Sequence, residues 1–159
     1  MSCTIGAKVF SPGREFVLFK NKDFPRKHFT DRLVIEAEVF GVRGLHLPPG
    51  GPVGADQFSG FSIGANRAGV CACNSHVRSV EGGANYDELT EAAVRGTTTV
   101  AEAIAAVLAA AETGQWNWAN IIVAALDGLG VVEIAHDRPT QVRPDRITRA
   151  NGHLLPHRQ

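Results

Sequence analysis

Excess charge of either sign is missing from this chain: 16 Lys and Arg are matched by 16 Asp and Glu, and the formal net charge is zero. That balance lacks the electrostatic footprint of a nucleic-acid binder or a polybasic membrane-surface protein. Long apolar runs are missing too, and none approaches the roughly 18–20 residues that a spanning helix needs. The first residues lack the basic region and apolar stretch of a secretory leader. Cysteine is scarce, at three residues (Cys3, Cys71 and Cys73), too few and too unevenly placed for a disulfide framework. These absences lead us to expect a reduced, cytoplasmic protein that contacts neither nucleic acid nor membrane. The loop from Gly64 to Gly69 lacks the Lys-Ser/Thr of a phosphate-binding loop, and no serine sits in a nucleophile-elbow motif. No cofactor is expected.

What is present suits a single packed domain over residues 1–159. The length supports a real core, and the 44% hydrophobic content argues against disorder. Thr4–Val9 and Glu15–Phe19 are short apolar runs either side of Ser11-Pro12-Gly13, which predicts a hairpin. Alternation from Leu33 to Phe40 predicts one half-exposed strand. Leu47 to Gly54, rich in proline and glycine, reads as a loop. Strand, turn and strand follow over Phe61–Ile63, Gly64–Gly69 and Val70–Cys73, with Asn66 and Gly69 as the residues suited to positive φ. A helical half comes next, over Tyr86–Arg95 and Val100–Glu112. The second helix opens on Thr99 and Glu102 at capping-box spacing and carries a stripe of Val100, Ile104, Val107 and Leu108. A second hairpin spans Asn120–Leu126 and Val131–Ala135 across Asp127-Gly128, and a last strand covers Arg146–Ala150. Strands, then helices, then strands predict an α+β layered domain.

Four segments carry chemistry. Cys3-Thr4 opens the chain. Leu18-Phe19-Lys20-Asn21-Lys22-Asp23-Phe24 leaves the first hairpin. Gly64-Ala65-Asn66-Arg67-Ala68-Gly69-Val70 leads to Asn74. Ile122 to Gly128 leads through Val132-Glu133-Ile134 to Asn151. In order and spacing these resemble the cysteine N-terminal-nucleophile (Ntn) hydrolases. The nearest likeness is to the acyl-coenzyme A:6-aminopenicillanate acyltransferase and choloylglycine hydrolase/penicillin V acylase families. The resemblance implies an αββα sandwich, self-processing that frees the cysteine amine, and hydrolysis or acyl transfer at a small-molecule amide. It also implies a role for each matched residue. Cys3 is the nucleophile, its own α-amine the base. Asp23 orients that amine. Lys20 stands where the family carries an arginine and favours the thiolate. Asn74 and Asn151 donate hydrogen bonds to the oxyanion. The amine of a terminal cysteine titrates near pH 8, suited to general-base work at neutral pH.

The chain departs from that pattern at both ends. Met1-Ser2 precede Cys3, so a free cysteine amine requires a cut at Ser2-Cys3. The family also continues well beyond the position matched by Asn151, whereas eight residues follow it here. A shortened sandwich would expose an apolar sheet face, which predicts a homodimer or a partner chain completing the layers. Two other functions stay open. One is a non-catalytic binding or scaffold homologue that has lost processing. The other is a metal module from Cys71, Cys73 and His76, with His136 or His153 as fourth ligand, although alternation makes Cys71 and Cys73 core residues first.

Overall fold

The computed structural model describes residues 2–11, 13, 15–23, 29–46, 56–57, 59–135, 140–142 and 146–152. The first hairpin forms and extends beyond its apolar runs: β1 (Ser2–Ser11) pairs antiparallel with β2 (Glu15–Asp23), with Cys3 opposite Lys22 and Ile5 opposite Lys20. The other edge of β1 pairs with the late strand β11 (Arg146–Arg149), closing a three-stranded sheet in the order β11-β1-β2. Alternation on β2 turns Phe16, Leu18, Lys20 and Lys22 inward, and leaves Val17 and Phe19 exposed on the outer side.

The second sheet has eight strands. β3 (Phe29–Ile35), β4 (Val39–His46), β6 (Ile63–Asn66), β7 (Cys71–Arg78), β8 (Trp118–Ala125), β9 (Gly128–Ile134) and β10 (Thr140–Val142) run side by side, and β5 (Asp56–Gln57) pairs only with β4. All the pairings are antiparallel. The single strand expected over Leu33–Phe40 is two strands, because the chain reverses at residues 36–38, where Glu36 N–H donates to the Val39 carbonyl. Period-two alternation runs unbroken through so tight a turn, so the pattern concealed it. Leu33, Ile35 and Phe40 are exposed on β3 and β4.

Helices α1 (Asp87–Val94) and α2 (Val100–Ala111) lie on one face of the large sheet. The Thr99 hydroxyl caps α2 by accepting from Glu102 N–H, while the Glu102 carboxylate turns back to Thr98. Val100, Ala103, Ile104 and Val107 of α2 bury against Val132, Ile134 and Ile121. On the opposite face, Ile122, Ala124, Val131 and Cys73 pack under Ile5, Ala7 and Ile147 of the small sheet.

This architecture overturns the expected α+β αββα sandwich. Among the described residues the molecule is mainly strand, in two antiparallel sheets with two helices, both on the outer side of the large sheet. The sequence does alternate between strand and helical blocks, but the helical block is short. Its two helices share one apolar stripe, enough to cover one sheet face only. The turn at 67–70 also differs from expectation. Gly69 takes positive φ (86°), whereas Asn66 does not, and sits at the end of β6. The Asn66 amide donates to the carbonyls of Val94 and Thr97 and accepts from Val70 N–H, fastening β6 to the end of α1. The loop expected over Leu47–Gly54 lies outside the described residues.

Candidate active site

Cys3 is buried near the start of β1, on the strand face turned toward the large sheet. Its backbone N–H donates to Asn151 Oδ1 at 3.0 Å. The Asn151 amide nitrogen in turn donates to the His76 carbonyl at 2.7 Å. The segment after β11 is held against the large sheet by further bonds. Ser75 Oγ donates to the Ala150 carbonyl, and Asn120 Nδ2 lies within reach of the carbonyls of Ala150 and Gly152. β7 and β8 therefore seat residues 150–152, and those residues seat the nitrogen of Cys3.

Lys20 enters from β2. Its ammonium donates to Asn74 Oδ1 at 2.8 Å and to the Asn74 backbone carbonyl. Burial pushes the Lys20 pKa down, while the charges of Asp87, Cys3 and Cys73 act to hold its proton. Lys22, on the same strand face, meets Asp31 and donates to Ser62 Oγ at 3.1 Å. Asp23 lies exposed at the end of β2, opposite Ser2.

The amide of Asn74 is oriented by its surroundings. Its nitrogen lies 2.7 Å from Asp87 Oδ1, 2.7 Å from Thr90 Oγ1 and 3.2 Å from the Phe61 carbonyl. Three acceptors surround the –NH2, so the oxygen must turn toward Lys20. An oxyanion donor needs an amide hydrogen directed at the substrate, and those of Asn74 run inward instead. The geometry suits the positioning of Lys20.

Asp87 and Thr90 are site residues with no motif in the sequence to mark them. Asp87 opens α1 as a helix-start carboxylate does, which explains it fully at the sequence level. Its burial beside Lys20 arises only once the helix packs on β7. There burial raises its pKa, and Lys20 and the Asn74 amide oppose that rise. Gly60 makes the close approach possible. Its φ is +82°, and a Cβ there would sit 2.1 Å from the Asp87 carbonyl carbon.

The thiols differ in character. Burial pushes the Cys73 pKa up to about 12 and raises that of Cys71. A buried, high-pKa thiol is inert packing. Cys73 belongs to the core between the sheets, while the His76 ring lies 5.8 Å from the ring of Tyr86 just ahead of α1. Among the described residues no metal-binding group of Cys, His, Asp and Glu forms; His136 and His153 lie outside them. An open hollow of about 430 Å³ runs along α1, lined in part by Arg43, Gly60, Glu91 and Arg95. Arg43 and Arg95 both pair with Glu91 there, and the hollow holds no residue of the Cys3 site.

No helix among the described residues is long and apolar enough to cross a membrane. The sequence matches no protein-family model and no curated protein.

Proposed function

We propose that the chain is a cysteine amidohydrolase or N-acyltransferase that works from the N-terminal amine of Cys3 on a small-molecule amide. One observation carries this reading: an asparagine 148 residues distant holds the nitrogen of the buried Cys3, and the charge of Cys3 acts on the buried Lys20. In the reaction, the Cys3 sulfur attacks the amide carbonyl. The S–C bond forms, the C–N bond breaks, and the amine leaves with the proton that the Cys3 α-amine took from the thiol. Water or an acceptor amine then breaks the thioester and returns the thiol. Lys20 supplies fixed positive charge beside the sulfur. An ammonium has three hydrogens; Lys20 spends two on Asn74, and the third serves the thiolate or the oxyanion. Asn151 Oδ1 accepts from the Cys3 nitrogen, and Asp23 assists the amine at the same strand end.

Intact mass of the protein after incubation with an activated aryl ester tests this. The expected result is a chain cut at Ser2-Cys3 carrying one acyl adduct, absent from Cys3→Ala. An uncut chain with no adduct refutes the proposal.

A second reading, a non-catalytic binding homologue, is favoured by the nitrogen of Cys3 itself. With Ser2 attached it is an amide, already hydrogen-bonded, and an amide is no base. A homo-oligomer is the proposed assembly. Its support is the pair Val17 and Phe19, exposed on the outer face of the small sheet, and a monomer by light scattering would refute it.

A further inference from the structure

The site holds a buried carboxylate that nothing in the reading above uses. Asp87 is 7% exposed and Thr90 is fully buried, both on the α1 face that meets β7. Both take hydrogen bonds from the Asn74 amide. The other end of that amide meets the Lys20 ammonium. Carboxylate, amide and ammonium thus form one hydrogen-bonded chain from the helix to the small sheet, and the charge of Cys3 acts on its ammonium end. We infer that Asp87, with Thr90 beside it, is the positioning residue of this site. It turns the Asn74 oxygen toward Lys20 and so holds the ammonium against the Cys3 thiol. The purpose of the arrangement rests on reading Cys3 as a nucleophile.

The alternatives for Lys20 are few. The groups acting on its charge are Asp87 from α1, Cys3 from β1, Cys73 from β7 and Lys22 from its own strand. Lys22 repels it. Cys73 keeps its proton across the neutral range. Asp87 is then the carboxyl that opposes the desolvation of Lys20, just as Lys20 opposes the rise that burial imposes on Asp87. A neutral amide alone orients an ammonium but adds no net charge, so removing the carboxylate loosens the lysine proton even where the geometry survives.

Two titrations of the full chain test the inference. One follows thiolate ultraviolet absorbance, with Cys3→Ser subtracted as blank. The other follows the Lys20 signal by NMR of labelled lysine. In Asp87→Asn the Lys20 midpoint is expected to fall by about 1–3 pH units, the usual effect of one close opposite charge, and the Cys3 midpoint to rise. Val94→Ala, a cavity in the same helix, should lower stability and leave both midpoints in place. A folded Asp87→Asn protein whose two midpoints match wild type overturns the inference. If Asp87→Asn does not fold, Thr90→Val decides: a lowered Lys20 midpoint supports the positioning role, and an unchanged one overturns it. Neither titration requires turnover. A protein that never takes up an acyl group would refute the enzyme reading while these midpoints still settle the role of Asp87.

Discussion

Lys20 and Asn74 are joined twice, because one ammonium donates to both the side-chain and the backbone oxygen of the same asparagine. The double contact ties β2 of the small sheet to β7 of the large one beside the candidate nucleophile. Lys20→Met should remove the charge while keeping much of the stem packing. Cys3 acylation by an activated ester is expected to fall about 10- to 100-fold, the scale of one to two pKa units of lost thiolate stabilisation. Lys20→Arg retains the charge but presents a planar fork where a compact ammonium fits, and should recover only part of the rate.

Asn151 offers a test at the other end of the site. Asn151→Ala leaves the Cys3 nitrogen without its acceptor and the His76 carbonyl without its donor. Unmade bonds to part-buried groups cost about 1–3 kcal/mol. Urea unfolding should report a loss of that size. Intact mass should show the Ser2-Cys3 bond uncut.

The acid limb of the stability profile should carry the signature of Asp87. Burial raises its folded pKa above the ordinary value of 3.8. Between those two values the native state binds more protons than the unfolded one. The contribution of this carboxyl is therefore full below 3.8 and is lost as pH rises through the folded value. Asp87→Asn should flatten that part of the profile, read as the urea midpoint against pH. An unchanged slope in the variant would contradict the assignment.

Glu133 of β9 and Arg149 of β11 form a buried ion pair between the two sheets, at 3.3 Å. Arg149→Met leaves a fully buried carboxylate without this counter-charge, and breaking such a pair costs about 3–5 kcal/mol. The double variant Glu133→Leu/Arg149→Met should recover most of the loss in denaturant unfolding. Failure to recover would mean that the pair also orders β11.

Gly60→Ala should be costly far beyond a surface-loop change. The position combines positive φ with backbone contact to Asp87, and such substitutions destabilise by more than about 1 kcal/mol. Because the displaced neighbour is Asp87, the Lys20 titration should move together with the melting temperature.

The sequence made local features legible. The two hairpins, the Thr99 cap and the apolar stripe of α2 follow from residue spacing, and all are present. That Cys3 and Asn151 lie side by side was legible only through ordered short motifs, since spacing says nothing about which strands become neighbours. Two features were not readable. The reversal at 36–38 carries no glycine or proline, so alternation hid it. The inward aim of the Asn74 amide depends on Asp87 and Thr90, which read as ordinary helix residues until α1 packs on β7. The layer count failed for a related reason: helical pattern reveals an apolar stripe, not how many sheet faces the available helices can cover.

Strand β1 pairs with β2 within a short hairpin and with β11 at the far end of the chain, Ile5 lying opposite Arg149. A polypeptide emerging from the ribosome can therefore zip the first ladder early, but the second can close only after Arg146–Arg149 has been made. Contacts of such long sequence separation form late and slowly. The nitrogen of Cys3 gains its asparagine only at that late step. Seating of the Cys3 nitrogen is thereby tied to the arrival of β11 and residues 150–152, and a translation product stalled before them would leave that nitrogen without its asparagine.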